Sequence, residues 1–142
     1  MNPFLLIPPG AEDHPVTSEY TFSRDARLVS LMPHMHLRGK SFEYRATFPD
    51  GAEKTLLSVP RYDFNWQHVY RLAEPIDVPK GTKIRCFATY DNSAKNKANP
   101  DPTKAVKWGD QTWEEMMIGF IDFSRPADSE SAAPAKPRRE RL

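Results

Sequence analysis

The chain has 142 residues, 39% of them apolar, with three Trp, five Tyr and eight Phe, enough for one packed core and too little for two. Twenty basic against nineteen acidic side chains give a formal charge of +1, and residues 124–142 hold five of the basic and three of the acidic ones, so the remainder is near neutral. A nucleic-acid partner is therefore not expected, no apolar run reaches the roughly 20 residues of a membrane span, and the lone Cys86 excludes a disulfide scaffold or a CxxC site.

The opening seven residues are too short and lack the basic region of a secretory leader, and residues 1–13 read as an N-terminal extension. Fourteen prolines, about twice the usual share of about 5%, leave little room for long helices. The short segments between them are rich in β-branched and aromatic residues. This predicts an all-β, antiparallel sandwich of about seven to nine strands over residues 14–123.

Strands are expected at 16–24 and 27–37, then at 40–48, where Phe42, Tyr44, Ala46 and Phe48 alternate with polar residues. Phe48-Pro49-Asp50-Gly51 supplies a turn into Glu53–Val59. A second hairpin pairs 66–72 with 82–90 through Val78-Pro79-Lys80-Gly81, and the last strand is expected at 112–123. Between them, the segment 91–110 is a long loop of Asn, Asp and Pro, a candidate wall of a site. Residues 124–142 have no aromatic residue and read as a disordered tail or linker.

The chemistry concentrates in Leu31-Met32-Pro33-His34-Met35-His36-Leu37-Arg38-Gly39. On a strand, residues i and i+2 share a face, so His34 and His36 form a two-point chelate suited to zinc, copper, iron or nickel. Met35 points the other way, so a third ligand must come from elsewhere. Met116 is the leading candidate, a soft thioether that favours copper(I), while Glu114 or Glu115 would instead favour zinc or non-haem iron. Asp110, Glu114 and Glu115 are candidate acceptors for the imidazole N–H groups. His68 reads as a packing or surface residue and His14 as solvated; Arg38 could orient an anionic substrate or pair with a carboxylate but reads first as a solvated strand end, and Tyr90 and Asn92, which open the long loop, either line the pocket or only cap it.

Residues 31–40, Tyr90-Asp91-Asn92-Ser93, and Trp108-Gly109-Asp110-Gln111-Thr112 followed by Glu115-Met116 together resemble the C-terminal domain of the copper type II, ascorbate-dependent monooxygenases. That family includes peptidylglycine α-hydroxylating monooxygenase and dopamine β-monooxygenase, and the wording here is nearest to its bacterial members. The resemblance covers residues 14–123 and implies a jelly-roll-like β-sandwich. It further implies a catalytic copper held by His34, His36 and Met116, with O₂ and an unknown organic substrate as reactants and hydroxylation of a C–H bond as the outcome.

Electrons would come from ascorbate through a second copper bound by three histidines in a preceding domain, which the single His14 before residue 27 cannot supply. The resemblance thus implies half of a catalytic unit, in a periplasmic or secreted setting. Cys86 falls where animal members have a disulfide-bonded cysteine, but here it has no partner and is expected as a buried thiol. A copper-binding or carrier module without catalysis uses the same ligands and is the second reading. A jelly-roll interaction domain is the third, disfavoured because Trp66, Trp108 and Trp113 seat better in packing or a loop wall than in a row.

Overall fold

The computed structural model describes residues 1–125, so the tail expected at 124–142 lies, but for its first two residues, outside the described residues. Nine strands and no helix occupy the described part: β1 (Leu6–Ile7), β2 (His14–Thr21), β3 (Ala26–His34), β4 (Gly39–Thr47), β5 (Glu53–Val59), β6 (Tyr70–Val78), β7 (Lys83–Tyr90), β8 (Val106–Lys107) and β9 (Ile118–Ser124). A four-stranded sheet in the order β2-β7-β4-β5 faces a three-stranded sheet, β6-β3-β9, and β1 pairs β8 apart from both. All these pairings are antiparallel. No helix among the described residues is long and apolar enough to cross a membrane.

The alternation expected from the sequence sets the core. Phe42, Tyr44 and Ala46 of β4 and Ile84, Cys86, Ala88 and Tyr90 of β7 are buried, while the residues between them stay wetter. They meet Leu28 and Leu31 of β3, with Ile121 and Phe123 of β9 packed alongside. Each large apolar side chain among them contributes about 2 kcal/mol on burial. Two contacts tie the sheets together: the Tyr44 hydroxyl donates to the Phe120 carbonyl at 3.3 Å, and the Phe22 and Phe123 rings meet edge-on at 5.2 Å. Both turns form as their residue types demand, with Gly51 at φ 87° and Gly81 at φ 91°.

Two of the later elements differ from the expectation. The strand placed at 66–72 begins only at Tyr70, and β6 pairs with β3 rather than with β7, so the second hairpin does not exist. The late start follows from residues 60–69, where Asp63 turns the chain by accepting from Asn65 N at 2.8 Å and Trp66 N at 3.0 Å. The strand expected at 112–123 begins only at Ile118, because Glu114 N donates to Gln111 O at 2.9 Å and folds the preceding residues into a turn. Within the N-terminal extension, Leu5 and Ile7 are buried in the core and β1 pairs β8.

A bulge between Leu28 and Ser30 shifts the register of β3 against both neighbours. Beyond it Leu31 faces the core, and Met32 and His34 turn outward opposite Phe120 and Ile118 of β9. That displacement sets the face on which the first histidine stands.

Candidate metal centre

His34 ends β3 and β4 starts at Gly39, so Met35, His36, Leu37 and Arg38 form a crossing whose backbone has no ladder to join. Side chains satisfy it instead. The Tyr62 hydroxyl donates to Met35 O at 2.7 Å and accepts from Met35 N at 3.0 Å. The Glu115 carboxylate accepts from His36 N at 2.8 Å and from Arg38 N at 2.6 Å. Asn96 Nδ2 donates to Leu37 O at 3.2 Å, and Asp91 N to Arg38 O at 2.8 Å. Gly39 is required by close approach, since a Cβ there would sit 2.8 Å from both Met35 Cβ and the Tyr62 ring.

His36 therefore lies just past the strand rather than on it, yet the crossing brings the rings together, centroids 5.2 Å apart and nearly perpendicular. Two imidazoles sharing one ion at about 2.0 Å per nitrogen have centroids about 5 Å apart, so the pair is spaced for chelation. Each ring is also oriented. His34 Nδ1 meets Gln67 Oε1 at 2.6 Å, and the amide is held that way round because Gln67 Nε2 donates to Phe64 O at 2.9 Å. His36 Nδ1 donates to the Glu114 carbonyl at 3.3 Å. An Nδ1 that holds its proton on an oxygen leaves Nε2 with the lone pair, the form a metal needs. Burial, and then the neighbouring His34, lower the His36 pKa against the carbonyls of Glu114 and Gln111, which favours the neutral ring.

Met116 is half-buried in the turn before β9, not on a strand, and its backbone carbonyl accepts from the Tyr90 hydroxyl at 2.7 Å. Met117 fills the core. Met116 follows directly on Glu115, whose carboxylate binds the crossing, so the chain delivers it to the neighbourhood of the pair. The two glutamates are engaged elsewhere. Glu115 is fully buried on backbone amides, its carboxyl pushed up to about 7 by burial against those hydrogen bonds, and Glu114 Oε2 accepts from Gln111 N at 3.0 Å. Among the described residues no group of three or more His, Cys, Asp and Glu side chains could hold one ion. The imidazole acceptors are likewise not Asp110 or either glutamate side chain, but the Gln67 amide and the Glu114 carbonyl.

Arg38 and His14, read as solvated, lie wholly or partly out of solvent. Arg38 is buried, donating from Nε to Asn92 Oδ1 at 2.8 Å and from Nη1 to Trp113 O at 2.9 Å. Asn92 is buried too, its Nδ2 donating to Pro8 O at 2.8 Å and Lys104 O at 2.9 Å, so it pins the long loop at its start. His14 is half-buried opposite Tyr90 at the start of β2. Conversely, Trp66 and Trp113 are exposed, with Trp66 edge-on to the exposed His68 at 4.6 Å. Phe64 stands edge-on to His36 at 6.0 Å, and half-exposed Phe120 lies 6.3 Å from His34, so apolar rings flank the pair.

Tyr62 and Gln67 carry no motif spacing and were silent in the sequence; the only signal was the Asp-Asn pair that turns their loop back on itself. No protein-family model matches this chain, and no curated protein matches it.

Proposed function

We propose that the protein binds copper through His34, His36 and Met116 and serves as the oxygen-activating, substrate-hydroxylating half of an ascorbate-dependent copper monooxygenase. The supporting observation is the His34–His36 pair itself: rings 5.2 Å apart, each with Nδ1 on an oxygen acceptor. A bound copper would supply one-electron and O₂ chemistry at a coordination position left open by three protein donors. The protein's own contributions are local. Gln67 and the Glu114 carbonyl hold the ring protons at Nδ1, and Glu115 and Tyr62 hold the crossing that carries His36. Phe64 and Phe120 keep water from the flanks and offer an apolar approach to an organic substrate.

The test is anaerobic copper(I) binding by the wild type and by His34→Ala, His36→Ala and Met116→Leu, with X-ray absorption at the copper edge. One copper per chain in a two-nitrogen, one-sulfur environment, weakened in each variant, is the expected result. Binding indifferent to Met116 removes the proposed ligand set. Stoichiometric binding with no hydroxylation when a three-histidine copper domain and ascorbate are supplied leaves the copper carrier as the reading.

A further inference from the structure

A cleft of about 460 Å³ opens beside the crossing, between the loop segment 100–107 and the Trp113-Glu114 turn, with Arg38 in its wall. The charges around it are unequally matched. The Asp101 carboxylate is engaged by Thr103 N at 3.0 Å, Thr103 Oγ1 at 2.6 Å and Lys104 Nζ at 3.1 Å, and Glu114 by Gln111 N. The Arg38 guanidinium, only 2% exposed, is bonded to two neutral oxygens and to no carboxylate among the described residues. Its Nη2 makes no hydrogen bond there. Lys107, on the same wall, forms no ion pair among the described residues.

The Glu115 and Asp101 carboxylates attract Arg38 without a hydrogen bond to its guanidinium, and a desolvated cation is stabilised chiefly by an anion in contact with it. Arginine's fork also suits a carboxylate better than a point charge does. The remaining walls are flat or apolar: Trp113, 60% exposed, Pro100 and Val106. A volume of this order takes a small organic molecule rather than a chain segment.

We infer that this cleft is a binding site for a small aromatic carboxylate, its charge on Arg38 and Lys107 and its ring against Trp113. Neither histidine of the pair lines this cleft.

The experiment is a titration of metal-free protein with benzoate, followed by amide and indole NMR shifts, with the uncharged benzamide as the comparison probe. Because Arg38 is buried and its removal threatens the fold, the variants are Lys107→Gln and Trp113→Ala, both at exposed positions. Benzoate is expected to shift the Trp113 indole N–H saturably and residues 104–107 with it, and benzamide to bind about tenfold more weakly. Trp113→Ala should abolish the response, and Lys107→Gln should weaken it about threefold and reduce its salt dependence. No shift at about 50 mM benzoate, equal binding of benzamide, or shifts at 104–107 that survive Trp113→Ala each overturn the inference.

Discussion

The Glu115 carboxylate meets the His36 backbone amide at 2.8 Å, and its other oxygen takes the Arg38 amide two residues on. One buried side chain thus replaces the strand partner that this crossing lacks. Glu115→Gln turns an NH₂ group against one of the two N–H donors. The expected loss is about 1–3 kcal/mol of stability, with copper(I) binding weakened alongside, checked by urea unfolding and chelator competition. Stability equal to wild type would show that the carboxylate is dispensable to the crossing.

Tyr62 acts on the same crossing from the other side, its hydroxyl bonded to both N and O of Met35. Tyr62→Phe keeps the ring against Gly39 and removes only the oxygen. A drop of about 1–2 kcal/mol with an unchanged denaturant slope is expected.

Gln67 orients His34 without being a ligand. Gln67→Ala should lower copper(I) affinity about 10- to 100-fold while leaving the melting temperature nearly unaltered, as for other groups that hold a ligating imidazole. His68→Ala, one residue away and exposed, should leave copper binding unchanged. Equal affinities for the two variants would remove Gln67 from the centre.

Burial pushes the Cys86 thiol up from 9.0 to about 11, against the hydrogen bond from Ser18. The native state then keeps a proton that the unfolded chain has lost. The contribution is complete below about pH 9 and disappears as the pH rises through about 11, amounting to about 3 kcal/mol. The stability difference between wild type and Cys86→Ala should shrink by that order across this window in pH-dependent unfolding.

Gly119 packs on the same thiol. A Cβ there would lie 2.6 Å from Cys86 Sγ and 3.0 Å from the Tyr44 ring. Gly119→Ala is expected to cost about 1–3 kcal/mol, and Cys86→Ala in the same chain should recover part of that loss, a coupling read by a double-mutant cycle.

The β-sandwich was legible because its signals are local. Alternation in Phe42-Glu43-Tyr44-Arg45-Ala46 and the Pro-Asp-Gly and Pro-Lys-Gly turns each act over a few residues, and β4, β5 and β7 lie where those signals put them. The His34-x-His36 spacing was legible as a local motif, but the strand face assumed for it was not, since β3 ends at His34 and the crossing brings the rings together. Partner choice was not: β6 and β7 are joined by a good turn yet lie in opposite sheets, which is settled by how each packs on β3 and β4. The sequence by itself determined the residue types of the candidate centre and the class of fold that carries it. Only the tertiary structure decided that Glu115 binds backbone rather than imidazole, that Gln67 orients His34, and that Arg38 is buried beside a cleft. Those contacts join positions 33 to 79 residues apart, and hydrogen bonds at that separation leave no periodic trace in a single chain.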